Sequence, residues 1–301
     1  MISISRMIAF VFAGVSFLSW AESARCEIVV QGYYRFGEND GSVSSGQSST
    51  STTGQTGGSL TSWNYNSGAL NTTYSNNIAN TAVTATGSTL SMNFGGNQTQ
   101  FYRNGNLASA TSNWGIEGWF RVTNNANRQM LAYNGQSVDS GLNGFGLMVD
   151  SDGRAKGLIN GLSGTVLDSG FSVTNNQWFY FAMVRDGTSN KLYVNNTTAI
   201  SAGTAANNAA SAWFTVGGSN NTTPTVNDYC LTGGADEVRL FTIGAGGFDA
   251  NRDLLIAPAV PEPGTLLLGG IAAACGGGGV WWKRRKGKVV GGEQAAGETV
   301  V

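Results

Sequence analysis

Any chemistry in this chain has to be done without histidine, because none occurs among its 301 residues. That removes a Ser-His-Asp triad, a Cys-His dyad and every histidine-ligated metal centre. Cys26, Cys230 and Cys275 lie too far apart for a zinc ribbon or an iron–sulfur cluster. Carboxylates are left. Two of them flanking a glycosidic bond can cleave it, and Glu117 and Glu237 sit in strand-like stretches. Neither Glu117-Gly-Trp119 nor Asp236-Glu237-Val238 brings a second carboxylate at alternate spacing, which one strand face would require. Asp150-Ser-Asp152-Gly153 offers hard oxygen ligands for a cation such as calcium, with Asp186 and Asp228 able to contribute from other loops. The same four residues are ordinary turn chemistry, since Asp bonds the backbone and Gly accepts positive φ. No further carboxylate stands nearby, as an EF-hand loop would need. Trp114, Trp119, Trp178 and Trp213 could stack on sugars, but all lie in strand patterns and read first as packing residues. Tyr102 and Tyr133, beside polar loops, are the better candidates for exposed ligand contacts.

The elements that must hold these residues are short and β-like. Ten stretches rich in aromatic and β-branched residues stand between Gly, Asn, Asp and Ser clusters: 27–36, 90–94, 114–122, 130–133, 144–149, 156–159, 178–185, 191–194, 213–216 and 237–243. No window offers an amphipathic helix, so the expected fold is an all-β, two-sheet antiparallel sandwich. Ile116, Gly118, Phe120 and Val122 alternate with Glu117, Trp119, Arg121 and Thr123, which predicts one buried face. Residues 178–184 are apolar on both faces, as in a central strand covered on both sides. Asp186 to Asn190 reads as a five-residue hairpin loop, and the Ser/Thr/Gly/Gln run from Ser42 to Ser62 as a mobile loop.

Charge and the two ends address the question of destination. Only 12 % of residues are charged, about half the ~25 % of an ordinary soluble domain. From Glu22 to Pro258 there are 15 acidic and 11 basic residues, a balance of −4 without a basic cluster, which argues against nucleic acid as a partner. Residues 1–21 read as a secretory signal: Arg6, a 12-residue apolar core from Met7 to Leu18, then Ser19-Trp20-Ala21. Arg25 directly before Cys26 argues against a lipoprotein. The body, 22–257, ends at a Pro-rich spacer, 258–264. Residues 265–282 are uncharged and, as a helix at 1.5 Å per residue, would reach about 27 Å, just enough to cross a bilayer. Its six glycines weaken that helix, so insertion is expected to be transient. A basic tail, 283–301, follows.

Val260-Pro261-Glu262-Pro263, the apolar span and Lys283-Arg284-Arg285-Lys286, in that order, resemble the PEP-CTERM sorting signal of Gram-negative bacteria. The resemblance implies recognition and removal of the tail by a membrane cysteine protease of exosortase type. It also implies passage through an inner-membrane intermediate to the cell surface or extracellular matrix. The 15-residue extension from Gly287 to Val301 is longer than such tails usually carry.

Within the body, Tyr33-Tyr-Arg-Phe36-Gly-Glu38, residues 113–122, 177–187 with 191–194, and Ala235-Asp236-Glu237-Val-Arg-Leu-Phe241 resemble the signature strands of LamG-like jelly rolls. These belong to the concanavalin A-like lectin/glucanase group, and the match extends over about residues 27–248. It implies a jelly-roll sandwich with its first and last strands adjacent, which would bring Cys26 and Cys230 within reach of a disulfide. Such folds often hold one calcium ion at the sandwich rim, and no cofactor is required. The hydrolases of the group carry Glu-x-Asp-x-x-Glu or a near variant, which is absent here. The expected function is therefore non-catalytic: binding of extracellular polysaccharide or a surface protein. A glycan hydrolase using Glu117 or Glu237, or a purely structural surface-layer protein, are the alternatives.

Overall fold

The computed structural model describes residues 28–64, 71–79, 88–96, 99–102, 107–136, 143–211, 213–218 and 229–256. The expected leader, Cys26, the sorting motif from Val260 to Pro263, the apolar span and the basic cluster lie outside them. The described residues form sixteen strands. They are β1 (Ile28–Tyr34), β2 (Ser51–Thr53), β3 (Ser59–Asn64), β4 (Thr72–Ser75), β5 (Ser91–Gly95), β6 (Thr99–Tyr102), β7 (Trp114–Val122) and β8 (Gln129–Gly135). There follow β9 (Phe145–Val149), β10 (Arg154–Ile159), β11 (Thr165–Ser172), β12 (Trp178–Asp186), β13 (Ser189–Val194), β14 (Ser201–Gly203), β15 (Trp213–Val216) and β16 (Thr232–Ile243). One helical turn, α1 (Ala250–Asp253), closes the described chain.

One eight-stranded sheet runs β14-β13-β12-β7-β16-β5-β4 with β1 added on β16, and the other runs β11-β10-β9-β8-β15-β6-β3-β2. Every pairing is antiparallel. This is the sandwich expected from the sequence, with the first strand paired to the last. Between the sheets, side chains at alternate positions form the main core. Trp114 is fully buried there and stacks on Phe145, with ring centroids 3.6 Å apart. Burying an aromatic of this size contributes about 3 kcal/mol beyond leaving it in water.

The strand β12 is covered on both sides, as its composition predicts. Phe179, Phe181 and Met183 point into the main core. Tyr180, Ala182 and Val184 point outward, where Phe248, Ala250, Leu254, Leu255 and Ile256 of the C-terminal segment cover them. That cover also corrects the one-faced reading of β7, because Glu117 on its outward side is fully buried.

Two local expectations fail for identifiable reasons. The run Ser42 to Ser62 contains β2 and the start of β3, which close the second sheet. Asp40 supplies the order that apolar periodicity does not: its carboxylate accepts from the Thr52 hydroxyl at 2.6 Å, the Tyr74 hydroxyl at 2.8 Å and the Thr53 amide. The β12–β13 hairpin is tighter than a five-residue loop, since Asp186 pairs with Ser189 across Gly187-Thr188. Gly187 has φ +60°, the left-handed value that a two-residue turn demands at its first central position.

Candidate functional site

The outward face of the first sheet holds most of the residues singled out for chemistry, and β16 organises it. Thr232–Ala235 pair with β5 on one edge, whereas Val238–Ile243 pair with β1 on that same edge. The switch needs a register shift between Asp236 and Arg239, and Glu237 takes it up with φ +52°. A left-handed backbone at a residue other than glycine is uncommon and is held by its surroundings.

What holds it is an ion pair. The Glu237 carboxylate accepts from Arg35 Nε at 3.0 Å and from the Tyr33 hydroxyl. Arg35 and Tyr33 alternate with Tyr34, which is buried in the core, and so stand on the outward face. Burial, reinforced by the Glu237 charge, pushes the Tyr33 phenol far up. Glu117 is held in the same manner. It accepts from Arg239 Nε at 2.6 Å, from the Leu255 amide at 2.9 Å and from the Tyr180 hydroxyl. Burial and then the Glu117 charge raise Tyr180 well above the ordinary phenol range. Both glutamates are thus brought onto neighbouring strands, each locked between an arginine and a tyrosine. The Glu117 lock also reaches beyond the sheet and ties down the C-terminal segment, through the Leu255 amide on Glu117 and through Arg239 Nη2 donating to the Asp253 carbonyl.

Asp236 is fully buried, accepting from the Ser88 hydroxyl at 3.0 Å and the Ala79 amide at 3.4 Å. Burial first, and the Glu237 charge second, push its pKa up to about 8. At neutral pH it is mostly the neutral acid.

One row beyond Asp236 the outward face is polar and half-open. Gly234 pairs with Asn93 of β5 on one side and Arg121 of β7 on the other, and Arg121 pairs with Trp178 of β12. The Arg121 guanidinium carbon lies 5.8 Å from the Trp178 ring centroid, and its Nη2 donates to Asn93 Oδ1 at 3.2 Å. Trp178 Nε1 donates to Asn77 Oδ1 at 2.9 Å. Arg121 appears in the sequence only as the polar alternate of β7. Three arginines at alternate strand positions, Arg35, Arg121 and Arg239, were the available signal, but only the sheet register reveals which of them has a carboxylate opposite.

The remaining candidates separate cleanly. Asp150 accepts from Arg128 Nε at 2.8 Å and from Lys156 Nζ at 2.9 Å, and Lys156 also meets Asp152 at 2.7 Å. With Gly153 at φ +76° and the Arg154 amide on Asp152, the segment is a turn whose carboxylates are occupied by cations. Among the described residues no group of three or more acidic or cysteine side chains could hold a metal. Tyr133 corrects the expectation of an exposed aromatic: it is fully buried, packs with Met130, Met148 and Leu158, and donates to the Asn143 carbonyl at 2.7 Å. Those residues give the outward side of β8 a small core of its own, which strand alternation in one short stretch did not signal. Tyr102 pairs through its backbone with Thr215 and Thr61 in β6, and its side chain lies outside the described residues. Trp114 is core, and Trp119, Trp178 and Trp213 are half-buried. Asp186 closes the β12–β13 hairpin, and Asp228 lies outside the described residues. Cys230 is half-buried just before β16, while its proposed partner Cys26 falls outside the described residues.

The sequence model of the concanavalin A-like lectin/glucanases superfamily matches residues 94–243, and that of the PEP-CTERM protein-sorting motif matches 259–285. No curated protein matches the sequence. Among solved structures, domain 4 of AbnA, a GH43 extracellular arabinanase from Geobacillus stearothermophilus in complex with arabinotriose, is 18 % identical. The alignment covers 76 % of this chain and 98 % of that one, with a TM-score of 0.49. A Trypanosoma rangeli sialidase is 9 % identical over 71 % of this chain and 31 % of its own, with a TM-score of 0.44. The Ruminococcus gnavus IT-sialidase CBM40 bound to α2,3-sialyllactose is 16 % identical over 44 % and 77 %, with a TM-score of 0.37. Both sequence models coincide with segments that the residues themselves single out. The chain carries a jelly-roll domain of the concanavalin A-like lectin/glucanase superfamily followed by a PEP-CTERM sorting signal, a combination that fits an exported surface protein.

Proposed function

We propose that this is a non-catalytic, surface-displayed polysaccharide-binding protein, delivered by an exosortase-type membrane protease that removes the C-terminal signal. The observation that supports binding over hydrolysis is the state of the two strand glutamates. A glycosidase keeps one carboxyl free to donate a proton and the other free to attack or to activate water. Glu117 instead accepts from Arg239, Tyr180 and the Leu255 amide, and Glu237 from Arg35 and Tyr33. These bonds are worth more as structure than as reactivity, because each neutralises a buried charge. The uncharged Asn-, Ser- and Thr-rich loops suit hydrogen bonding to sugar hydroxyls. Retention of the mature exported protein on immobilised polysaccharides, with reducing-end release followed in parallel, tests this. Retention without release is the expected result. Release that disappears in Glu237→Gln would establish a hydrolase, and retention on no polysaccharide would leave a structural coat protein.

A further inference from the structure

The arginine in the half-open row is unlike the others. Arg35, Arg128, Arg154, Arg239 and Arg252 each meet a carboxylate. Arg185, also without one among the described residues, is enclosed by the Thr111 and Ala205 carbonyls and the Asn190 amide oxygen. Among the described residues Arg121 has a single neutral acceptor, Asn93 Oδ1, and its Nε is buried without a hydrogen bond. Burial disfavours its charged form and lowers its pKa, so the cation is under-solvated where it stands. An anion reaching the outer nitrogens would relieve that cost, and a charge-assisted bond is about twice as strong as a neutral one.

The surroundings supply the rest of a subsite. Gly234 lets the Trp178 indole lie beside Arg121, because a Cβ there would come within 2.8 Å of the ring and 3.5 Å of Arg121 Nε. Asn77 holds the indole N–H and so fixes the ring plane. Asp236, the carboxyl one row along the same face, is pushed up to about 8 by burial and so does not cancel the cation at neutral pH. A half-buried indole with a guanidinium over its ring, 5.8 Å from the centroid, and no carboxylate opposite that cation among the described residues matches a pyranose that carries a carboxylate. Resting on the polysaccharide-binding reading above, we propose that Arg121 and Trp178 form a subsite for a uronic-acid sugar, its carboxylate on the guanidinium and its ring on the indole.

Trigalacturonate and its methyl ester differ in charge and share their rings, which makes them the probes. Calorimetric titration of the mature exported protein should show the acid binding about 10-fold or more tightly than the ester, the range for a hydrogen bond to a charged group. Arg121→Gln should abolish that preference at an unchanged melting temperature. Trp178→Leu should weaken acid and ester together by about 5-fold or more, as loss of a stacking face does. Asn93→Ala, which leaves the indole untouched, provides a second variant should Arg121→Gln fail to fold, and should shift the preference by about 3-fold through a freer guanidinium. Equal affinity for acid and ester overturns the inference while polysaccharide binding stands. A preference that survives Arg121→Gln also overturns it, placing the anion site elsewhere. If no polysaccharide binds at all, both this subsite and the reading beneath it fall.

Discussion

Replacing Glu117 with glutamine separates a structural carboxylate from a catalytic one. The variant keeps the size of the side chain and an oxygen for the Leu255 amide and the Tyr180 hydroxyl. What it removes is the charge facing Arg239, whose side chain is only 12 % exposed. Breaking a buried pair in this way costs about 3–5 kcal/mol, most of it the penalty of leaving one charge uncompensated. In a domain of about 230 residues each kcal/mol shifts the melting temperature by roughly 2–4 °C. Glu117→Gln should therefore melt roughly 6–20 °C below the wild type. Adding Arg239→Met removes the stranded cation while the methionine fills the space of the arginine stem, so the double variant should recover the larger part of the loss. Circular dichroism melts of the four proteins in the cycle, with polysaccharide turnover measured on the same samples, provide the readout. If Glu117→Gln melts with the wild type, the buried charge pair with Arg239 is not holding the fold together. If it keeps its stability and loses turnover, Glu117 is doing chemistry and the binding reading is wrong.

Asp236 makes a different prediction. Its folded pKa of about 8 lies above the ordinary 3.8, so between those values the folded protein holds a proton that the unfolded chain has released. Its contribution to stability is full below pH ~4 and is lost as the pH rises through about 8, so urea midpoints should fall over that range and Asp236→Asn should flatten the slope. Asp150 runs the opposite way: against the upward push of burial, Lys156 and Arg128 hold it below the usual carboxylate range. Its contribution is present above the ordinary carboxylate pKa and is lost on acidification, so Asp150→Asn should lose part of the acid sensitivity of the wild-type melt. Because cations already occupy that turn, millimolar calcium should leave the wild-type melting temperature unchanged, and a calcium-dependent rise abolished in Asp150→Asn would reverse the assignment. Trp114→Ala should cost about 3–5 kcal/mol through the cavity left against Phe145, seen as a lower urea midpoint at unchanged m-value.

The strands that could be read from sequence are those whose residues face an apolar layer. β7 and β15 have the bounds that aromatic and β-branched spacing predicts, and β12 shows its two-sided cover directly. The strands without a sequence signal, β2, β3, β4, β6, β11 and β14, are short or built largely of Ser, Thr, Gly and Asn. Their order comes from register and from side-chain bonds such as those to Asp40, which link residues 12 and more apart and leave no local periodicity. Tyr133 misleads for the complementary reason. An aromatic beside a polar loop looks exposed in a linear stretch, yet a small second core formed with Met148 and Leu158 covers it. The glutamates were visible, but their partners Arg35, Tyr180 and Arg239 come from other strands and depend on pairing.

Low charge density makes the distribution of those partners informative. With only 12 % charged residues, the domain does not rely on ions for a solvated surface, and its ion pairs at Glu117 and Glu237 are turned inward instead. One pins the C-terminal segment against the sheet, and the other fixes the bulge where β16 changes neighbours. A chain that places its cations so consistently opposite carboxylates makes an exception stand out. Lys191, beside the edge strand β14, has no anionic partner among the described residues either, but it is a flexible ammonium at the margin of the sheet. Arg121 stands on the central strand of its sheet path, three strands in from either edge, beside an indole, with its Nε already stripped of water. A cation held there with no carboxylate opposite it among the described residues costs folding energy, and a net charge of −4 over residues 22–258 would ordinarily discourage polyanions. Specificity for an acidic sugar would then reside in one contact rather than in a diffuse field. Its affinity should accordingly fall only weakly with salt, unlike that of a basic patch.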